Sequence, residues 1–310
     1  MSAHFCLTVR FLDSLPRFHG CGDGAAPEWP PSPLRLFQAL VATASRAGLG
    51  HISPHHEAAL TWFEALDPPK VIAPPAVLST GYRLSVPNNA MDVVAAAWTR
   101  GNYASSGDAD PRTHRTMKTV RPWLLKNGDS VHYVWPDTQS AHIDVLCAVA
   151  RSLASLGWGP DLVIGHGANI SNEDVDALPG DHWLPDSEGS GAPLRVPMRG
   201  TLADLARRYR GFLNRLGPDG FVPPPTLSRF RSVQYRLGSD IPALPLAAFS
   251  FLKLGAKGFQ AFDPARRGLT VAGMLRYATK NAATNAGWAP EKVGQVILGH
   301  MSGGSSPGRV

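Results

Sequence analysis

Residues Glu28 to Ala47 read EWPPSPLRLFQALVATASRA, and the fold turns on this stretch. Pro30, Pro31 and Pro33 around Ser32 form a stiff approach to a helix. Ser32 is expected to cap that helix through its hydroxyl, and Pro33 suits the first helical position, where no backbone donor is needed. Leu34, Phe37, Val41 and Ala44 then recur at three- and four-residue spacing, and Leu36 and Leu40 widen the apolar stripe. Just upstream, His4 to Leu12 reads HFCLTVRFL, where Leu7, Val9 and Phe11 alternate with Thr8 and Arg10. That alternation predicts a half-buried strand. A Gly-rich loop with His19, from Leu15 to Pro27, joins strand to helix in one packed unit.

The same unit is expected a second time. Ala248 to Leu254 (AFSFLKL) reads as a strand, and the loop from Gly255 to Gly268 carries Lys257, Arg266 and Arg267. A helix over Leu269–Ala286 follows, with Val271, Met274, Leu275 and Ala278 as its apolar stripe. Both helices close on a glycine, Gly48 or Gly287, suited to a left-handed cap. Two copies of one supersecondary unit predict an internal repeat.

At 310 residues the chain exceeds one small core, so two domains are expected. A hydrophobic share of 44% excludes a largely disordered protein. The net charge of +6 and a pI near 9.4 favour a polyanionic partner. Cys6, Cys21 and Cys147 have no paired spacing, as in proteins of a reducing compartment. Arg10 and Asp13 interrupt the first apolar run, so no signal peptide is read, and no window is long enough to span a bilayer. The expectation is a cytoplasmic protein with no membrane partner.

Between the two units lie a helix over Pro54–Leu66, with Ala58, Ala59, Trp62 and Phe63 inward, and extended segments at Val71–Leu78 and Tyr82–Val86. Gly101–Asp110 is small, polar and expected to be flexible. Arg112, Arg115, Lys118 and Arg121 recur at every third residue. A strand over Ser130–Trp135, a helix over Ala141–Leu156 and a short strand at Leu162–Ile164 come next. The acidic stretch Asn169–Gly191 reads as a surface loop or linker closing the first domain. Beyond Arg195 the charge reverses. Thr201–Leu216 is expected as an amphipathic helix with Leu202, Leu205, Tyr209, Phe212 and Leu213 buried and Arg207, Arg208 and Arg215 outside. Leu227–Leu237 sets Phe230, Val233 and Tyr235 against Arg229, Arg231 and Arg236. A solvated face is the bland reading of such a run, but arginines interleaved with aromatics suit phosphate forks and base stacking and point to RNA or DNA contact.

Other signatures fail. Gly157-Trp-Gly-Pro-Asp-Leu162 lacks the third glycine of a dinucleotide loop, and Pro160 would break the helix that must follow. No Gly-Lys-Ser/Thr phosphate loop and no nucleophile elbow occurs. His51, His55 and His56 surround Pro54 without a nearby carboxylate–cysteine set, which fits a helix start better than a metal site. Neither metal nor cofactor is expected.

LTVRFLD, FHG and EWPPSPLRLFQALVA, then Val86-Pro-Asn-Asn89, RTMKTVRPWLL running into VHYVWP, and LGWGPDLV resemble the fused Cas-five/Cas-six-type CRISPR-associated protein of type I-U (also called I-G) systems, a RAMP-superfamily protein. RGFLNRLGPDGFVPPPTLSRFRSVQYR, TVAGMLRYA and GHMSGG carry the resemblance over nearly the whole chain. It implies an α+β chain of ferredoxin-like (RRM-like) folds, complete in residues 1–191 and partial in residues 192–310. The chain ends just after Gly299-His-Met-Ser-Gly-Gly304, where another strand is expected, so a truncated second fold is read. The first domain would hold the 5′ handle of the CRISPR RNA (crRNA). The second would cut precursor crRNA as a metal-independent endoribonuclease and keep the product, with other subunits of a type I effector complex as partners. The alternative is a non-catalytic structural subunit capping the 5′ handle, and a DNA-binding protein is a third reading. His300 is the expected catalytic residue, with His4 or His19 next in line. The expected RNA-contacting set is Arg10, Arg112, Arg115, Lys118, Arg121, Arg207, Arg208, Arg229, Arg231, Lys257 and Arg267.

Overall fold

A computed structural model describes residues 3–22, 26–47, 50–87, 91–186, 191–217, 220–239 and 263–285. The alternation of the first strand holds: β1 (His4–Phe11) turns Phe5, Leu7, Val9 and Phe11 to one buried side. After β2 (Arg17–Phe18), α1 (Pro33–Ala47) begins at Pro33 and lays Leu36, Phe37, Leu40 and Ala44 in the same core. Its start differs from expectation in one respect. The Ser32 hydroxyl is buried without a hydrogen-bond partner among the described residues, and the Glu28 carboxylate reaches forward instead, accepting from the Ser32 N–H at 2.9 Å.

The chain continues through α2 (Pro54–Phe63), β3 (Lys70–Ala73), β4 (Ala76–Leu78), β5 (Tyr82–Pro87), α3 (Met91–Thr99), β6 (Arg115–Val120), β7 (Trp123–Leu125), β8 (Ser130–Trp135), α4 (His142–Ala150) and β9 (Val163–Ile170). In α2 the buried residues are Ala59, Leu60 and Phe63, while Ala58 is exposed and Trp62 half-buried. Strands β3, β8, β1 and β9 lie side by side in that order with every neighbouring pair antiparallel. One helical crossover links β1 to β3 and another links β8 to β9. This is the β-α-β-β-α-β order of a ferredoxin-like fold. Leu7, Val9, Phe37, Leu146 and Leu153 meet in one core, with Val41 packed against it. Two glycines let α4 lie close on the sheet: a Cβ on Gly165 would stand 2.4 Å from the Ala150 carbonyl oxygen, and one on Gly167 would stand 2.6 Å from Cys147 Sγ.

Beyond β9 the sheet grows from its other edge. α5 (Asn172–Ala177), β10 (Asp181–Asp186), β11 (Ala192–Val196), α6 (Thr201–Leu213), β12 (Leu216–Gly217), β13 (Gly220–Phe221) and β14 (Arg231–Leu237) follow. Among the described residues the main sheet has seven strands in the order β11–β14–β10–β3–β8–β1–β9. The acidic stretch is therefore no linker. Ser171 and Asp174 form a capping box that starts α5, and Val175 of that helix covers Cys6, Ile72 and Val134 on the sheet's second face. The boundary expected after residue 191 is corrected for the same reason: sheet hydrogen bonds run through it, and the chain divides into Met1–Leu244 and Pro245–Val310. Helix α6 is also less buried than expected. Leu202 is buried and Leu205 partly so, but Tyr209, Phe212 and Leu213 are exposed.

In the second unit α7 (Pro264–Asn285) is described. It begins before Leu269, so Arg266 and Arg267 sit in its first turn rather than in a loop. The strand expected at Ala248–Leu254 lies outside the described residues, as do Lys257 and His300. Among the described residues no helix is long and apolar enough to cross a membrane.

Phe37→Ala should lower the unfolding free energy in urea by ~3–5 kcal/mol, the usual cost of emptying a core phenylalanine site. Gly165→Ala should cost ~1–3 kcal/mol by overpacking α4. A loss below about 1 kcal/mol for the first variant would contradict the core assignment.

Candidate nucleic-acid interface

The insert between β3 and β8 is folded back on itself. β3 pairs with β8, β4 with β7 and β5 with β6, each pair enclosed by the one before. The insert thus leaves the sheet as an antiparallel arm, residues 76–125. Its tip is α3 with two short 3-10 turns, Gly107–Ala109 and Pro111–His114, packed around Val94, Ala97 and Ala109. Gly101–Asp110, expected to be flexible, ends in those turns because Asp110 caps the second through the Arg112 N–H at 2.9 Å.

Besides the pairing of β7 with β2, Arg17 opposite Leu124 and Phe18 opposite Trp123, two sets of side-chain contacts hold the arm. At its root, Tyr82 hydrogen-bonds through its hydroxyl to His19 Nε2 at 2.5 Å, while His19 Nδ1 meets the Asp161 carboxylate at 2.5 Å. The His19 backbone N–H donates to the same carboxylate, and Trp158 stands edge-on to the imidazole. At its tip, Arg215 forks onto Asp92 with two bonds of 2.5 and 2.7 Å, tying α3 to the end of α6.

The arm carries four of the cations expected to meet RNA, Arg112, Arg115, Lys118 and Arg121, and adds Arg83. Register places Arg83 opposite Thr119, Lys118 opposite Leu84 and Arg115 opposite Pro87. Arg83 and Arg115 therefore share one face and Lys118 takes the other, because spacing by three in a strand alternates sides. Arg83, Arg115, Lys118 and Arg121 are all exposed and belong to none of the ion pairs among the described residues. Arg112 is bound to Asp110 at 2.9 Å. Arg10 lies apart, on the sheet, paired with Asp129 at 2.8 Å.

A second cluster forms around Asp204, a buried acid in an arginine-rich segment. Its carboxylate binds Arg207 and accepts the N–H groups of Ser228 and Arg229 at 2.7 and 2.9 Å. The loop before β14 is thereby held against α6, with the Arg229 and Arg231 side chains exposed beside it and Arg208 exposed on the helix. Glu64, at the end of α2, accepts from the N–H groups of Gly200 and Leu202 at 2.8 and 2.7 Å and so caps α6 from another element.

The second face of the sheet is a poorer platform. α5 covers part of it, and the central strands present Cys6, Thr8, Arg10, Ser130 and His132 rather than aromatic rings on which bases stack. His132 is tied to the Thr8 hydroxyl at 2.8 Å, and burial pushes its pKa below the ordinary histidine value. His4 and His19, the reserve catalytic candidates, are both buried; His4 Nε2 meets Asn172 Oδ1 at 2.6 Å, and both ring nitrogens of His19 are engaged. Sequence reasoning missed Tyr82, Asp161, Glu64 and Arg83. The sequence carries one signal that points to the cluster: Asp204 and Asp219 are the only acids between Arg195 and Arg236.

The Ser228 N–H, Arg207 and the Arg229 N–H hold the Asp204 carboxyl well below the ordinary aspartate value of 3.8. A depressed value in the folded state gives stability that is present above the unfolded value and lost as pH falls through the folded one. Urea midpoints of the natural chain should therefore drop below about pH 4. Asp204→Asn should cost ~1–3 kcal/mol at neutral pH and flatten that acid dependence. Equal midpoints for the two chains at neutral pH would rule out the hub.

The family model for the CRISPR-associated protein, GSU0054 family, matches residues 3–308. Among solved structures, the crystal structure of a CRISPR protein from Archaeoglobus fulgidus aligns with a TM-score of 0.31 at 10% identity, covering 60% of this chain and 72% of that one. No curated protein matches the chain. With the match running from residue 3 to residue 308, the chain belongs to the GSU0054 family of CRISPR-associated proteins.

Proposed function

We propose that this protein binds crRNA and its precursor through the arm and the Asp204 cluster, as a subunit of a CRISPR effector complex, and cuts the precursor within the repeat. The arm carries this reading. It is anchored at root and tip and holds Arg83 and Arg115 on one face and Lys118 on the other, all exposed. Cations on both faces of a narrow ribbon suit a single strand passing around it better than a duplex resting on one side. Family membership supplies the CRISPR context.

The cleavage half of the proposal needs no metal. The 2′-hydroxyl of the RNA attacks the adjacent phosphorus as its proton passes to a base. The P–O5′ bond breaks and the leaving oxygen takes a proton. The products are a 2′,3′-cyclic phosphate and a 5′-hydroxyl. His300 is the proposed proton-transfer group, worth ~10²–10⁴ in rate, with Lys257 or Arg267 stabilising charge on the phosphate. A second reading, a structural subunit that caps the crRNA 5′ handle without chemistry, is supported by the arm alone, since its arginines and lysine are binding groups.

A labelled CRISPR repeat incubated with the protein in EDTA separates these readings. Cleavage with cyclic-phosphate ends supports processing; a shift without cleavage supports the structural subunit; no shift sinks both. His300→Ala or a 2′-deoxy substitution at the scissile nucleotide should abolish cutting and leave binding nearly intact. The combined Arg115→Ala and Lys118→Ala changes should weaken binding whatever the base sequence. They should also reduce the slope of log affinity against log salt by ~1.4, since each phosphate no longer neutralised accounts for about 0.7.

A further inference from the structure

The tip of the arm has one feature that the cations do not explain. An open groove of about 410 Å³ is lined by Trp98, Tyr103, Ala104, Ala109, Asp110 and Pro111. We propose that this groove seats one unpaired nucleobase of the RNA strand that the arm binds, stacked on Tyr103 and Trp98. The inference rests on reading the arm as an RNA-contacting element and names what that element grips besides phosphate.

The groove is built to stay open. The Trp98 indole N–H donates to the Ala109 carbonyl at 2.9 Å, which locks the ring by its edge, yet the residue remains 44% exposed. Val94, Ala97 and Ala109 back it and are buried. Tyr103 is 74% exposed and makes no hydrogen bond or ring contact among the described residues, so a large ring is left open to water. Its loop is nevertheless pinned on both sides, by Ala104 N–H to Asn102 Oδ1 at 3.2 Å and by Arg112 Nη2 to the Ser105 carbonyl at 3.3 Å. A flat apolar ligand fits such a surface without any rearrangement of its walls.

Charge narrows the choice to a nucleotide. Asp110 spends its carboxylate on the Arg112 backbone N–H, Nε and Nη2, so its charge is met within the arm. The Arg112 side chain stays 71% exposed at the rim, and Arg115 opens the strand that leaves the tip. Asp108, 3.9 Å from His114, is the acid that faces solvent there. Aromatic surface flanked by arginines is the arrangement that holds single strands, with stacking for the base and cations for the phosphates on either side. A volume of about 410 Å³ falls within the ~300–1,000 Å³ of small-ligand sites.

The full chain should be titrated with a single-stranded RNA carrying one 2-aminopurine, following anisotropy and base emission together. Tyr103→Ala removes a side chain without partners, so the fold should be kept. It should weaken single-strand affinity roughly 5- to 150-fold, as expected for the removal of one stacking partner, and restore the quenched emission. Tyr103→Phe should behave as the natural chain. An abasic nucleotide in place of the 2-aminopurine should lower affinity to the level of Tyr103→Ala. Neither change should alter the salt slope or binding to a matched RNA duplex. Unchanged affinity and emission with Tyr103→Ala would overturn the base site. If Arg115→Ala still lowered the salt slope in that case, the RNA reading of the arm would stand alone. Tighter binding of an acidic aromatic peptide than of RNA at this groove would also overturn the proposal, in favour of a protein partner.

Discussion

Glu28 is a nearly buried carboxylate, and the architecture depends on how it is paired. One oxygen accepts from Arg35 Nε of α1 at 3.1 Å, and the other from Arg195 Nη2 of β11 at 3.1 Å, across 167 residues of sequence. Both arginines also donate to the Cys21 carbonyl, at 2.9 and 3.0 Å. Burial pushes the Glu28 carboxyl up, but Arg35, the Ser32 N–H and Arg195 outweigh it and hold the group ionised. Removing one partner of a buried pair costs ~3–5 kcal/mol, because the remaining charge stays out of water. The start of the decisive helix and the outermost strand of the sheet are thus clamped to one group. Tyr133 closes the same loop from β8, its hydroxyl donating to the Pro31 carbonyl at 2.9 Å. This is why the sheet is continuous where composition alone suggested a boundary.

Where periodicity and burial coincide, the sequence was readable. β1, α1 and β8 alternate or repeat with the spacing of their elements, and Leu7, Val9, Phe37, Leu40, Val131 and Tyr133 do meet in one core. α4 stops at Ala150, short of the Leu156 that the spacing predicts, since Leu153 and Leu156 are buried from a turn that follows the helix and look like a continuation of its stripe. The acidic stretch misled for the opposite reason. Glu173, Asp174, Asp176 and Asp181 face water, while the residues that decide its structure are few: Ser171 and Asp174 for the cap, Val175 for the contact, and Trp183 packed on the core from β10. A short sheet extension needs little hydrophobic signal because the strand it joins supplies most of the contact.

The candidate interface was legible as charge but not as shape. Arg112, Arg115, Lys118 and Arg121 look like one row in sequence, yet a strand sends alternate residues to opposite faces, and Arg112 is occupied by Asp110. Arg83 escaped notice because its partner strand lies 36 residues on, opposite Thr119. Tyr103 lies in Gly101–Asp110, whose small polar residues suggest flexibility, and Trp98 lies just before it at the end of α3. Their arrangement depends on one indole-to-carbonyl bond that no spacing rule contains. The acids that organise the site, Asp161, Asp204 and Glu64, are single residues whose partners lie far away in sequence, and pattern reading has no access to such pairs.

The nesting of the arm also bears on how the chain reaches its native state. In the central sheet Ile72 pairs with His132, while at the far end of the arm Pro87 pairs with Arg115, so the outer pairing encloses about twice the length of chain. Closing the longer loop directly costs about 0.6 kcal/mol more in chain entropy than closing the shorter one. The larger gain comes from order of assembly. Once β5 lies on β6, the ends left free are already close, and β4 meets β7 across a few residues; β3 and β8 follow in the same way. The ladder is cheapest to build as a zipper running from the tip toward the sheet, with each rung shortening the search for the next. The element proposed to meet a nucleic acid is then also the device by which two distant core strands find one another.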